Sequence, residues 1–117
     1  MVRLTIRIDF DDGSGLGPGK VRLLELVDAT GSIRKAASEL GMSYRKAWLL
    51  LQALKQTFGT PLVQTASGGK SGGGTRLAPA GREVVARYRR LEGMAAKASA
   101  PDLKALARKR GGAASRH

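Results

Sequence analysis

The stretch GSIRKAASELGMSYRKAW, residues 31–48, decides the fold. Ser32 stands where a helix N-cap is expected, and Ile33, Ala36, Ala37 and Leu40 follow at the spacing of a short amphipathic helix. Gly41 breaks that helix, Met42 is apolar, and Ser43 is placed to cap a further helix running to about Phe58. On this longer helix Ala47, Leu51, Leu54 and Phe58 form a core face with Leu50 beside it, while Arg45, Leu49, Gln52 and Gln56 lie opposite. Small side chains at Ala36 and Ala37 let the two helices cross closely, and Leu40, Met42 and Leu50 or Leu51 fill the space beneath the turn. Two helices joined by a tight glycine turn are a helix-turn-helix, whose second helix aims its N-terminal residues at a major groove.

The flanking sequence fits that unit. Val2, Leu4, Ile6, Ile8 and Phe10 alternate with polar residues and predict one half-buried strand, followed by a turn-rich loop from Asp11 to Gly19. A helix follows with Val21, Leu24 and Asp28 on one line and Leu23, Leu26 and Val27 on its buried side, ending near Thr30 and Gly31. Beyond Gly59-Thr60-Pro61, residues 62–65 and 75–77 read as two short strands around the tip Gly68-Gly69-Lys70-Ser71-Gly72-Gly73-Gly74. Pro79 suits the first turn of a fourth helix, with an apolar seam of Val84, Tyr88, Leu91, Ala95 and Ala98 and with Arg82, Arg89, Arg90 and Lys97 on its outer face. The expected fold is mainly α with a small β component. It is a winged helix-turn-helix with an N-terminal strand, a β-hairpin wing and a long C-terminal dimerisation helix. Residues 1–100 form the domain; residues 101–117, with one or two helical turns between Leu103 and Arg110, form a basic, flexible tail.

Composition narrows the function. The chain has 117 residues, 42% of them hydrophobic, which fits one small domain. There is no cysteine, and the one histidine is His117 at the end, so thiolate or histidine metal sites and the usual nucleophilic catalysis have no residues to use. No cofactor, no metal and no enzymatic activity is expected. No apolar run reaches the roughly 20 residues of a membrane span, and the start lacks a secretory layout, so a cytoplasmic protein is expected. Charge is strongly uneven. Residues 1–30 carry a net −1 and residues 31–117 a net +13, and no acid occurs between Glu39 and Glu83. A solvated surface normally mixes signs, so this one-sided field points to a phosphate backbone. Charge by itself does not separate DNA from RNA or from an anionic membrane surface.

The candidate DNA-binding residues are Ser32, Arg34, Ser43, Tyr44, Arg45, Lys46, Leu49 and Gln52 around the helix pair, and Lys70, Ser71 and Arg76 on the hairpin. Arg45 and Lys46 open the second helix, where side chains reach base edges or phosphates. Leu49 either meets a thymine methyl group or packs on a neighbouring element, and Gln52 either pairs with adenine or is solvated. Trp48, on the flank, reads as a filler at the core edge ahead of a DNA contact. Gly69-Lys70-Ser71 imitates a nucleotide-binding loop, but that motif needs glycine at position 64, where Gln64 stands, and a helix directly after Ser71. Asp9, Asp11 and Asp12 lack calcium-loop spacing and read as a turn. The seam of Val84, Tyr88, Leu91 and Ala95 is assigned to dimerisation, because a lone helix would leave it in water.

GSIRKAASELGMSYRKAW, followed by PLVQTASGGKSGGGTRLAPAG, resembles the DNA-binding domain of ModE-type molybdate-responsive transcriptional regulators, and the helix-turn-helix is also similar to the LysR type. The segment from Ser43 to Trp48 and the glycine-rich wing favour the ModE type. The resemblance covers roughly residues 20–95. It implies a homodimer on a near-palindromic operator of double-stranded DNA, read by the recognition helix (43–58) and the wing (62–77). Members of that family carry oxyanion-binding domains after this module; as the sequence stops at residue 117, direct molybdate binding is not expected of it. Ala78 stands where the family pattern has a threonine cap. The competing expectations are a nonspecific architectural DNA- or RNA-binding protein, and an oxyanion-binding or protein-interaction module on the same fold.

Overall fold

The computed structural model describes residues 2–66 and 74–114. In chain order the elements are β1 (Ile8–Asp9), β2 (Gly15–Leu16), α1 (Pro18–Thr30), α2 (Ile33–Glu39), α3 (Tyr44–Phe58), β3 (Val63–Ala66), β4 (Gly74–Leu77) and α4 (Pro79–Ala114). The strands form two separate antiparallel pairs, β1 with β2 and β3 with β4.

α1 is the hub. Val21, Leu23, Leu24, Leu26 and Val27 are all buried, so that only a narrow strip containing Arg22 and Ala29 reaches solvent. α2, α3, β4 and α4 all pack on it. From α2 come Ala36 and Ala37, from α3 Ala47, Leu51 and Leu54, and from the hairpin Leu62 and Leu77. Phe58 and Phe10, both half-buried, close one end of the core edge-to-face with ring centres 5.5 Å apart.

The turn between α2 and α3 forms as its residues dictate. Ser32 Oγ accepts the Lys35 backbone N–H at 3.1 Å, and Ser43 Oγ accepts that of Lys46 at 3.0 Å, so each helix start is capped by its own serine. Gly41 has φ +68°, a left-handed conformation that costs a side-chain-bearing residue roughly 1 kcal/mol, and it lets Met42 N–H return to the Ala37 carbonyl at 3.0 Å.

The hairpin pairs Val63 with Leu77, Gln64 with Arg76, Thr65 with Thr75 and Ala66 with Gly74. It is tied to α1 by the Thr75 N–H to the Gly31 carbonyl at 2.9 Å and by the Leu77 N–H to Asp28 Oδ1 at 3.1 Å. Asp28, read in sequence as lying on one line with Val21 and Leu24, thus anchors the wing. At the other end Ala78 N–H donates to the Leu62 carbonyl at 2.9 Å. Gly81 packs so closely there that a Cβ would overlap the Leu62 carbonyl oxygen.

Three expectations are corrected. The long N-terminal strand is reduced to Ile8–Asp9, which pairs with Gly15–Leu16 inside the expected loop. Residues 4–7 keep the alternating burial, Val2 being exposed, but residues 2–7 have no strand partner, because the hairpin turn at residues 10–14 brings only two residues of the segment opposite β2. The helix expected to end before Pro101 runs to Ala114, so the boundary at residue 100 falls inside α4 and residues 101–114 are helical. Pro101 lies inside α4, where it removes one backbone hydrogen bond, and the good helix formers Leu103-Lys104-Ala105-Leu106 that follow carry the helix onward. Third, Arg89 is not a free outer-face cation. It donates to both carboxylate oxygens of Glu25 on α1, at 3.0 and 2.7 Å, and to Glu92 at 2.7 Å. Among the described residues no helix is long and apolar enough to cross a membrane.

Candidate nucleic-acid interface

α3 buries one face and offers the other. Ala47, Leu51 and Leu54 lie against α1 and α2, while Arg45, Lys46, Leu49 and Gln56 are exposed and Gln52 is half-buried. Arg45, Leu49, Gln52 and Gln56 recur at four, three and four residues, so they form one row along the face opposite the core. A second row, Tyr44 and Trp48, runs along the flank. Arg34 of α2 reaches across to it, with its guanidinium carbon 4.8 Å from the centre of the Tyr44 ring. Tyr44, Arg45 and Trp48 wall a shallow cleft of about 280 Å³.

Of the expected residues, the helix pair thus brings together Arg34, Tyr44, Arg45, Lys46, Leu49 and Gln52. Ser32 and Ser43 precede α2 and α3, and each spends an acceptor site on a backbone cap. Arg76 is exposed on β4, which packs on α1. Lys70 and Ser71 lie outside the described residues. Trp48, read in sequence as a core-edge filler, is 44% exposed, close to Tyr44 at 43% and Leu49 at 48%. The helical spacing carried the signal: Trp48 is four residues from Tyr44 and one from Leu49, and Ala47 and Leu51 already fill the inward positions.

The dimerisation assignment is split by the structure. Tyr88 is 1% exposed within the single chain, and its hydroxyl donates to the Ile6 carbonyl at 2.8 Å. Burial pushes its phenol pKa up. Tyr88 therefore needs no partner protein, because the N-terminal segment already covers it. Val84 and Ala95 are half-buried, and Leu91 is exposed. Met94 and Leu106, which the heptad spacing did not single out, are exposed on the same helix.

The charge of this surface is not neutralised locally. The three-way cluster of Glu25, Arg89 and Glu92 sits at the α1–α4 contact, where hydrogen bonding by Arg89 holds the Glu25 carboxyl below its ordinary range and the two carboxylates raise the guanidinium pKa further. None of the described ion pairs involves Arg34, Arg45, Lys46 or Arg76.

Residues 19–82 match the model of the bacterial regulatory helix-turn-helix proteins, lysR family. The chain belongs to that family. Its matched part starts in α1 and ends in the first turn of α4, which is the helix pair with its hub and hairpin. This lysR-family chain is 44% identical over 85 residues to the molybdenum-pterin-binding protein MopB of Rhodobacter capsulatus, covering 73% of the chain and 32% of that protein. It is 41% identical over 85 residues to the molybdenum transport protein ModE of Azotobacter vinelandii, with the same coverage of each. To the DNA-binding transcriptional dual regulator ModE of Escherichia coli K12 it is 35% identical over 71 residues, 61% of the chain and 27% of the regulator. The likeness to the ModE type read from residues 31–48 and the wing is therefore present across the domain. The chain spans about a third of the length of the first two of these relatives. In three dimensions it aligns with the CbnR_DBD chain of a crystal structure of a CbnR_DBD-DNA complex, with a TM-score of 0.58, 22% identity, 75% of this chain and 95% of that one. That likeness establishes the winged helix-turn-helix fold.

Proposed function

We propose that the chain is the DNA-binding part of a transcriptional regulator that acts as a homodimer on a near-palindromic operator. One observation carries the reading. α3 presents a row of Arg45, Leu49, Gln52 and Gln56 on the face away from the core, all exposed but the half-buried Gln52, within a segment that has no acid between Glu39 and Glu83. In a helix-turn-helix this row enters the major groove, where arginine pairs with guanine and glutamine with adenine, while Arg34, Lys46 and Arg76 hold phosphates. The names of the ModE relatives and the DNA in the structural neighbour support this. Lys70 and Ser71 join the wing contacts on sequence grounds alone. No catalytic step belongs to this reading.

Homodimerisation is supported by α4, which leaves Leu91, Met94 and Leu106 in water at 45%, 57% and 62% exposure. A second copy covers them, and two copies double the phosphate contacts. In vitro selection from a random duplex pool tests the whole reading. The expected product is a pair of inverted half-sites separated by whole helical turns. Equal binding of all sequences would establish the architectural alternative instead. Sedimentation of the protein at micromolar concentration should show a dimer, and a 12 kDa species alone would refute it.

A further inference from the structure

The reading surface has an apolar half that a basic field does not explain. Among the described residues, Tyr44, Trp48 and Leu49 are three of the most exposed large hydrophobic side chains, and they fall within six positions of α3. Among the described residues they remain more than 40% exposed, with Arg34 over the Tyr44 ring and Arg45 at the rim of the cleft. A partner that fits must offer apolar groups set inside a polyanion. On the major-groove edge of duplex DNA the one apolar group is the C5-methyl of thymine. Duplex RNA offers neither that methyl nor a major groove open to a helix.

We propose that Trp48 and Leu49, backed by Tyr44, read thymine C5-methyl groups, and that Arg34, stacked on Tyr44, holds the adjoining phosphate. The inference rests on α3 entering the major groove and names what it selects there. Trp48 lines the cleft beside Tyr44 on the flank, and Leu49 stands on the central row, so two neighbouring base pairs are within reach of the pair. This makes Trp48 a specificity-determining residue, whereas its sequence context suggested packing.

The test uses the duplex recovered by the selection described above, remade with deoxyuridine at one thymine position at a time. That change removes a methyl group and leaves the hydrogen-bonding edge intact. For the wild-type chain, binding should weaken about fourfold for each contacted methyl, the equivalent of the ~0.8 kcal/mol for burying one such group. Trp48→Ala should bind thymine and uracil duplexes equally at one position, Leu49→Ala at the neighbouring one, and Trp48→Phe should keep part of the discrimination. Denaturation curves confirm that each variant is folded. A wild-type chain indifferent to every methyl, a selected half-site without thymine, or variants that retain the full thymine preference would each overturn the proposal while leaving the groove reading intact. If no sequence is selected at all, the groove reading fails first and this proposal falls with it.

Discussion

α1 and α3 are of similar length, 13 and 15 residues, and each supplies several leucines to the chain, but they bury them differently. α1 has Leu23, Leu24, Leu26 and Val27 enclosed around most of its circumference by four neighbours. α3 encloses Ala47, Leu51 and Leu54 and leaves Tyr44, Trp48 and Leu49 in water. The difference separates scaffold from reader. A side chain on α1 contributes through desolvation and packing within the chain, and one on the outer rows of α3 contributes when a partner arrives. Stability and binding should therefore respond to different helices.

The largest effect is expected in α1. Leu24→Ala removes a fully buried side chain and should cost about 2–5 kcal/mol in chemical denaturation, with unchanged affinity for DNA in the fraction that remains folded. Leu49→Ala, the matching truncation on α3, should change stability by no more than about 0.5 kcal/mol. Similar losses in the two variants would break the contrast between the helices.

Next comes Arg45→Ala, for which titration of the selected duplex should show a loss of about 1–3 kcal/mol and a relaxed preference at one base pair in each half-site. A loss of equal size on every sequence would move Arg45 from base recognition to phosphate contact. Its denaturation curve should overlay that of the wild type.

The contact between α1 and α4 sharpens the contrast further, because here charge rather than apolar surface holds the scaffold. Glu25→Gln should destabilise the chain by about 1 kcal/mol at neutral pH, a modest figure because the pair is partly exposed. The sign of the pH dependence follows from the direction of the shift. Arg89 lowers the Glu25 pKa below its ordinary 4.5 in the folded chain, so the stabilisation is complete above that value and disappears as pH falls through the folded-state pKa. The gap between wild type and Glu25→Gln should thus close in acid. A gap that stays constant down to pH 2 would show that the carboxylate charge is not what matters.

The smallest effect is expected on the wing. Arg76→Ala should leave stability and base preference unchanged and make the salt dependence of binding shallower by about one unit of log–log slope per protomer. Lost sequence discrimination would assign Arg76 a base contact.

Much of this was legible before any coordinates. The serines at 32 and 43, Gly41 and the spacing of Ala36, Ala37, Ala47 and Leu51 specify the helix pair, because caps, breakers and periodicity act over one or two turns of chain. The same locality makes the outer row of Arg45, Leu49 and Gln52 readable from helical geometry. The bounds of the two hairpin strands were readable to within a residue from the apolar and glycine boundaries, and their register came with the structure. What the chain order could not express is which helix face finds a neighbour. Tyr88 belongs to a seam by spacing, yet it is covered by a segment 82 residues earlier. Arg89 belongs to an outer face by spacing, yet it meets Glu25 at a separation of 64 residues. Trp48 belongs to the core edge by residue type, yet the small inward residues and the crossing of α2 leave it outside. In each case the outcome depends on contacts between distant parts of the chain, whose closure only the assembled tertiary structure sets.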